Sequence, residues 1–355
     1  MSKFDDLSRS FTPFEPSNTL IAAVEMGLSS WIVGAILPGV TRHPLKKLDA
    51  NPESLLKTLH RWRNEAISAG REVTRIVLAF EAGRDGFWLA RWLRGRGVEA
   101  YVIHAASVAV SCEHRRAKTD RIDVELLKRA FLGWLRGESD HCSMAAIPTL
   151  AEEDAKRPHR ERQNLVSERT RIVNRMKACL VRLGVRGFNP ALRKAEERLE
   201  TLRTPEGEVI PPNTLAEMRH DIARLRFVMG QIREIEAARL QRLEQAPDRG
   251  PHAMVLLLAK VMGVGIETAD MLVHEILSRN LRDRRAFARY GGLTGSPDES
   301  GKRRREKGVA RSGNPRVRRS MIQLAWRFLV FQKDSPLAQG IGASPRTGAA
   351  RHARR

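Results

Sequence analysis

Cysteine is scarce and scattered. The three, Cys112, Cys142 and Cys179, have neither the spacing of a metal site nor that of a disulfide framework, which fits a reduced, cytoplasmic compartment. Long apolar runs are missing as well. No stretch stays apolar for the ~18 residues that a membrane helix requires. Asp5, Asp6 and Pro13 stand where a secretory signal would carry a basic start and an apolar run, so no export signal is expected. Acidic residues are outnumbered: 41 against 63 lysines and arginines, for a net charge of +22. That imbalance argues against an ordinary metabolic enzyme and for a polyanionic partner. A GC-rich genome that favours arginine would explain basicity alone, but not its clustering. The 355 residues are enough for two or three domains.

What is present is organised around residues 76–127. Ile76-Val77-Leu78-Ala79-Phe80 reads as a buried strand ending on Glu81. A turn with Gly83 and Gly86 follows, then an amphipathic stretch whose apolar set is Phe87, Leu89, Trp92 and Leu93. A second strand, Ala100-Tyr101-Val102-Ile103, comes after Gly95 and Gly97. Strand–helix–strand order implies a parallel pair. The stretch closes on Lys118-Thr119-Asp120-Arg121-Ile122-Asp123. Asp120 and Asp123, three apart, share one face of a helix. Two such carboxylates suit a hard cation, Mg²⁺ or Mn²⁺. Taken alone, the doublet is better explained as a helix N-cap and a first-turn acid. Strand-end Glu81 tips the balance, because open α/β sheets place their chemistry at the carboxyl ends of strands.

Upstream, residues 1–18 read as a loose leader. Residues 20–25 and 31–37 form a strand pair with Glu25 ending the first strand, and 52–69 form a helix with Pro52 at its start and Gly70 after its end. The order is β-β-α-β-α-β-α. Glu25, Glu81, Asp120 and Asp123 would meet if the first and third strands are neighbours, and four carboxylates can hold two divalent ions for phosphoryl transfer.

These segments resemble the RuvC-like DEDD domain of a family of bacterial insertion-sequence transposases, the bridge-RNA-guided recombinases. The resemblance rests on VEMGLSSWIVGAIL, on Glu81 in AFEAGRDGFWLARWLRGRG and on KTDRIDVELL. It covers residues 20–134 and 253–332. Glu25 stands where the family usually has Asp. The resemblance implies an α/β domain of RuvC/RNase H type over 19–150, with Glu25, Glu81, Asp120 and Asp123 binding Mg²⁺ or Mn²⁺ as two ions. It also implies a catalytic serine in a second domain, a guide RNA beside the DNA, and a homo-oligomer, dimer or tetramer, acting at the nucleoid.

Residues 151–248 read as a helical arm. Apolar residues recur at helical spacing from Leu165 to Leu183 and again from Ile222 to Leu240, on either side of a Pro/Gly-rich break at 184–213. A helical hairpin, a coiled-coil arm or a plain spacer would each fit. Residues 249–334 read as a mainly α C-terminal domain. MVLLLAKVMGVGIETADMLVHEIL has the pattern of a helix-hairpin-helix, in which Gly263 and Gly265 would let the backbone approach a phosphate. An ordinary tight turn is the alternative.

Between Ser300 and Arg319 lie Lys302, Arg303, Arg304, Arg305, Lys307, Arg311, Arg316, Arg318 and Arg319, against the single acid Glu306. This is a polyanion-binding strip or a solvated loop. Lys118 and Asn314 are added to the expected nucleic-acid contacts. By resemblance, GGLTGSPDESGKRRR and RSGNPRVRR match the family's serine-bearing domain and place the nucleophile at Ser300, with Ser312 and Ser296 as rivals. A serine there would need activation and cationic neighbours. Residues 320–332 read as a helix and 335–355 as a disordered tail, where the family usually continues with further helices. The expected activity is DNA transposition through a serine nucleophile. A water-using RuvC-like nuclease and an inactive DNA-binding remnant are the alternatives.

Overall fold

In the computed structural model, the structure describes residues 12–83, 85–104, 107–108, 120–138, 141–248, 250–279, 281, 283–300, 303–310 and 312–342. The chain divides into two compact units. The first comprises Met1–Ala151 and Arg279–Pro315, and the second Glu152–Ser278 and Arg316–Arg355.

The first unit is built on a five-stranded mixed sheet. Strands β1 (Thr19–Met26), β2 (Ser30–Ile36), β3 (Leu45–Asp49), β4 (Arg75–Glu81) and β5 (Glu99–Ile103) run in the order β3-β2-β1-β4-β5. β1–β2 and β2–β3 are antiparallel, while β1–β4 and β4–β5 are parallel. Strands β1 and β4 lack polar alternation because both faces are covered. Leu20, Ala22, Val24, Ile76, Leu78 and Phe80 pack to one side, with helices α1 (Pro52–Ser68) and α2 (Trp88–Arg94). Ile21, Ala23, Val77 and Ala79 pack to the other side, with Val124, Leu127, Phe131 and Trp134 of α3 (Asp120–Leu135). Helix α1 starts where Pro52 places it, and the structure adds a cap: Asn51 Oδ1 accepts from Glu53 N at 2.8 Å. Gly34 on β2 lets α3 approach the sheet, since a Cβ there would stand 2.8 Å from Val124 Cγ1.

Three expectations change here. Residues 12–18 are tied down rather than loose. Arg75 donates to the Thr12 and Pro13 carbonyls, Thr74 N donates to Asn18 O, and Phe14 packs on the α3 side of the core. Strand β3 is an additional element, hidden because LKKLD buries only Leu48. The unit also contains helix α10 (Arg284–Gly291) and an antiparallel hairpin of β6 (Gly295–Ser300) and β7 (Arg303–Val309). The charged stretch, expected as a strip within a mainly helical domain, is thus an antiparallel hairpin. Opposite charges across the hairpin hold it, with Lys307 Nζ 2.9 Å from Asp298 Oδ2.

The second unit is helical. Helices α4 (Leu150–Ala155), α5 (Arg157–Arg182), α6 (Ala195–Thr201) and α7 (Pro212–Gln245) come first. The pairs Arg162–Glu236 and Arg175–Asp221 follow in reverse order along α5 and α7, so the two long helices are antiparallel. Leu165, Ile172, Met176 and Leu180 meet Met218, Ile222, Leu225 and Val228 between them. The Pro/Gly-rich break contains α6, whose Ala195 and Leu199 join the same core. Next come α8 (Gly250–Ala259), α9 (Ile266–Met271) running into a π-helical turn at Leu272–Leu277, α11 (Pro315–Phe331) and α12 (Pro336–Gly342). The expected disordered tail therefore begins as a helix. Its later part lies outside the described residues.

Candidate active site

Parallel pairing of β1 with β4 sets Val24 opposite Phe80. The next residues are Glu25 and Glu81, so both acids leave the sheet at the same carboxyl end. By alternation they continue the row of Ile21, Ala23, Val77 and Ala79, on the face that α3 covers. Beneath them Val24 and Phe80 are buried, which fixes where the strand ends lie. Glu25 and Glu81 line one pocket of about 190 Å³ with Met26, Phe80, Gly83, Asp85 and Gly86.

Asp85 is the acid that sequence reasoning passed over. Its signal was the pair of flanking glycines. Gly86 adopts φ +71° and its N donates to Gly83 O at 3.4 Å, so the chain turns tightly after β4 and keeps Asp85 beside the strand end. His104, also unremarked in the sequence, follows β5 and is half-buried. Burial, aided by the positive Arg279, lowers its pKa, which keeps the ring neutral near pH 7.

The remaining predicted residues are placed as follows. Asp120 opens α3, and its side chain lies outside the described residues, as does Lys118. Asp123 is half-buried, one residue before the core residue Val124, and is not among the pocket-lining residues. The chemistry of the pocket fits a hard divalent cation, since its acidic side chains offer oxygen only. No group of three His, Cys, Asp or Glu that could hold a metal forms among the described residues. Glu25 and Glu81 are thus the part of the expected set that is brought together.

Ser300 ends β6 and pairs with Arg303 across the hairpin. The side chains of Ser300, Arg303 and Arg304 lie outside the described residues, as do Lys302 and Arg311 altogether. Arg305 is exposed on β7, opposite Asp298. Ser312 is exposed, and Ser296 lies on β6. Asn314 has a structural partner: its Nδ2 donates to Tyr290 Oη at 2.8 Å and its backbone N to Tyr290 O at 2.7 Å. Arg279 stacks on the other part of this cluster, 4.4 Å from the Tyr290 ring centre.

In the second unit, Arg316, Arg318 and Arg319 sit in the opening turns of α11. Cations there oppose the helix dipole, a cost that an anionic ligand would offset. Gly263 has φ +86°, and a Cβ on it would meet Phe331 Cδ2 at 3.4 Å, so α11 covers that glycine. Gly265 precedes α9 in extended backbone with nothing near its Cβ position. Of the two glycines, only Gly265 has an open approach.

Comparison with known proteins decides the class. The profile of the family described as "Transposase IS116/IS110/IS902 family" matches residues 255–339. The protein named "Putative transposase y4rJ" of Sinorhizobium fredii is 38% identical over 331 residues, covering 90% of this chain and 83% of that protein. The chain belongs to the IS116/IS110/IS902 transposase family. A second relative, "Probable family 20 transposase" of Pseudomonas aeruginosa, is 26% identical over 257 residues, 71% of either chain. No solved structure matches. This is a DNA transposase, a class of enzyme that cuts and rejoins DNA. No helix among the described residues is long and apolar enough to cross a membrane.

Proposed function

We propose that this transposase works by metal-dependent phosphoryl transfer on a RuvC-like sheet, with Ser300 as the nucleophile and a guide RNA selecting the DNA. The observation that carries the reading is the shared pocket of Glu25 and Glu81 at the ends of β1 and β4. The sheet order supports it too, with an antiparallel β3-β2-β1 continued by two parallel strands. Residues 279–315, which carry Ser300, belong to the same compact unit as the acids.

Glu25, Glu81, Asp120 and Asp123 would hold Mg²⁺ or Mn²⁺, and Asp85 joins them as a pocket acid. A bound ion there would lower the pKa of an attacking hydroxyl and neutralise charge on the phosphate. The Ser300 hydroxyl forms a bond to phosphorus while one DNA ester oxygen leaves with a proton. Attack by a DNA hydroxyl on that phosphoserine then releases the serine and joins the new strands. The basic residues of β7 and α11 hold the backbone phosphates meanwhile. RNA guidance and oligomeric action rest on the resemblance alone.

The test is a denaturing gel of the protein with its co-purified RNA, Mg²⁺ and labelled element ends. A protein–DNA adduct that disappears in Ser300→Ala is expected. Cleavage without an adduct would replace the serine with water. An adduct lost in Ser312→Ala and kept in Ser300→Ala would move the nucleophile to Ser312.

A further inference from the structure

A second concave site lies in the first unit, along the sheet edge formed by β3. It is a groove of about 580 Å³ between β3 and α1. Lys46 and Lys47 come from β3, and Lys57 and Arg61 from α1. Asp49 is the one acid in its lining. None of the four cations forms an ion pair with a described residue.

We propose that this groove binds the phosphodiester backbone of DNA, apart from the pocket at Glu25 and Glu81. Lys57 and Arg61 are four apart, so they share one helix face with Ser54 and Thr58. Like charges at that spacing repel in the free protein, and an anion between them removes the repulsion. Lysines on an open sheet edge commonly guard against strand-to-strand aggregation. That role explains Lys46 and Lys47 but not a matching pair on the neighbouring helix. Ser54 lines the groove beside the cations, giving the mixed lining that phosphate contacts use. Lys46 shares the α1-facing side of β3 with Leu48, while Lys47 borders the groove from the strand edge, so the cations are spread along the cleft as a charged strand requires rather than closed around a single small anion. DNA is the polyanion that a transposase must hold. The site depends on family membership and not on the metal or serine reading.

The test is fluorescence anisotropy of the full-length protein with a short labelled DNA duplex across a salt series. Lys57→Ala with Arg61→Ala should weaken binding about tenfold at moderate salt and flatten the log–log salt slope by about 2. Alanine suits an exposed helix face, so folding should be kept. Lys46→Gln with Lys47→Gln should flatten the slope in the same way. The control is Arg219→Ala with Arg226→Ala, which removes equal charge from cations already paired with Glu200 and Glu196. Unchanged slopes in both groove variants would overturn the proposal. So would an equal change in the control, which would mean that only net charge matters. Weakened RNA binding with intact DNA binding would overturn it too, by making the groove an RNA site.

Discussion

Glu25 and Glu81, distant in the chain, end adjacent parallel strands and line the same pocket. Replacing either with glutamine keeps size and hydrogen bonding but removes a charged oxygen ligand. Glu25→Gln and Glu81→Gln should each abolish Mn²⁺ binding by calorimetry and lower DNA cleavage about 100-fold or more. Asp85→Asn should weaken Mn²⁺ about tenfold, as expected of a supporting acid. Unaltered Mn²⁺ affinity in all three variants would remove the metal from this pocket.

Gly313 fixes the turn that leads into α11. Its φ is +104°, and a Cβ would stand 2.8 Å from Arg289 O and closer still to Tyr290 O. Gly313→Ala should cost about 2 kcal/mol and lower the thermal midpoint. Asn314→Ala loses the hydrogen bond to Tyr290 Oη and should cost about 1 kcal/mol. A Gly313→Ala protein that melts with the parent would contradict this account of the turn.

Asp221 is fully buried in the arm and accepts from Arg175 Nε at 2.9 Å, Arg175 Nη2 at 2.6 Å and Arg224 Nη1 at 3.1 Å. The Arg175 hydrogen bonds hold its carboxyl below the usual range, against the opposing effect of burial. A depressed carboxylate stabilises the fold above its unfolded pKa, and that contribution is lost as the pH falls through the folded value. Both arginines are half-exposed, so the two partners of the pair are unequal. Arg175→Ala leaves the buried carboxylate with Arg224 as its one remaining partner and should cost about 2 kcal/mol, whereas Asp221→Leu leaves only solvated arginines and should cost less. Urea midpoints of the two variants give the comparison, and the reverse ranking would refute it.

His159 on α5 is buried, and neither ring nitrogen has a hydrogen-bond partner among the described residues. Burial, reinforced by the positive Arg239, brings its pKa down to about 4. Between there and the ordinary value near 6.5, the unfolded chain binds the proton more readily than the folded one. Stability carried by neutral His159 is complete above about pH 6.5 and declines as the pH falls towards 4. Wild-type protein should lose melting temperature between pH 7.5 and pH 5, and His159→Leu should lose measurably less. Equal acid sensitivity in the two proteins would place the titrating group elsewhere.

Much of the fold was legible because burial leaves a simple trace. Strands β1, β2, β4 and β5 are continuous apolar runs, and α1 carries its own start signal in Pro52. Where burial is slight the trace fades. Strand β3 buries one side chain, and the β6–β7 hairpin is held by charges such as Asp298 and Lys307 that look alike in a strand or a loop. Glu25 and Glu81 were legible as strand-end acids. Asp85 was not, because a turn and not a periodic element brings it to the pocket. The apparent freedom of Gly263 was misleading for a similar reason. Only the distant α11 reveals that the position is covered.

The first unit is not one continuous length of chain, since Arg279–Pro315 joins Met1–Ala151 after the helices between them. A copy interrupted anywhere in that interval would still encode the whole five-stranded sheet and both pocket glutamates, yet not Ser300. On the proposed mechanism, such remnants would carry the metal-binding half of the catalytic apparatus without its nucleophile. If the β3–α1 groove holds DNA as proposed, they would occupy it without joining it, and so would compete with the intact enzyme.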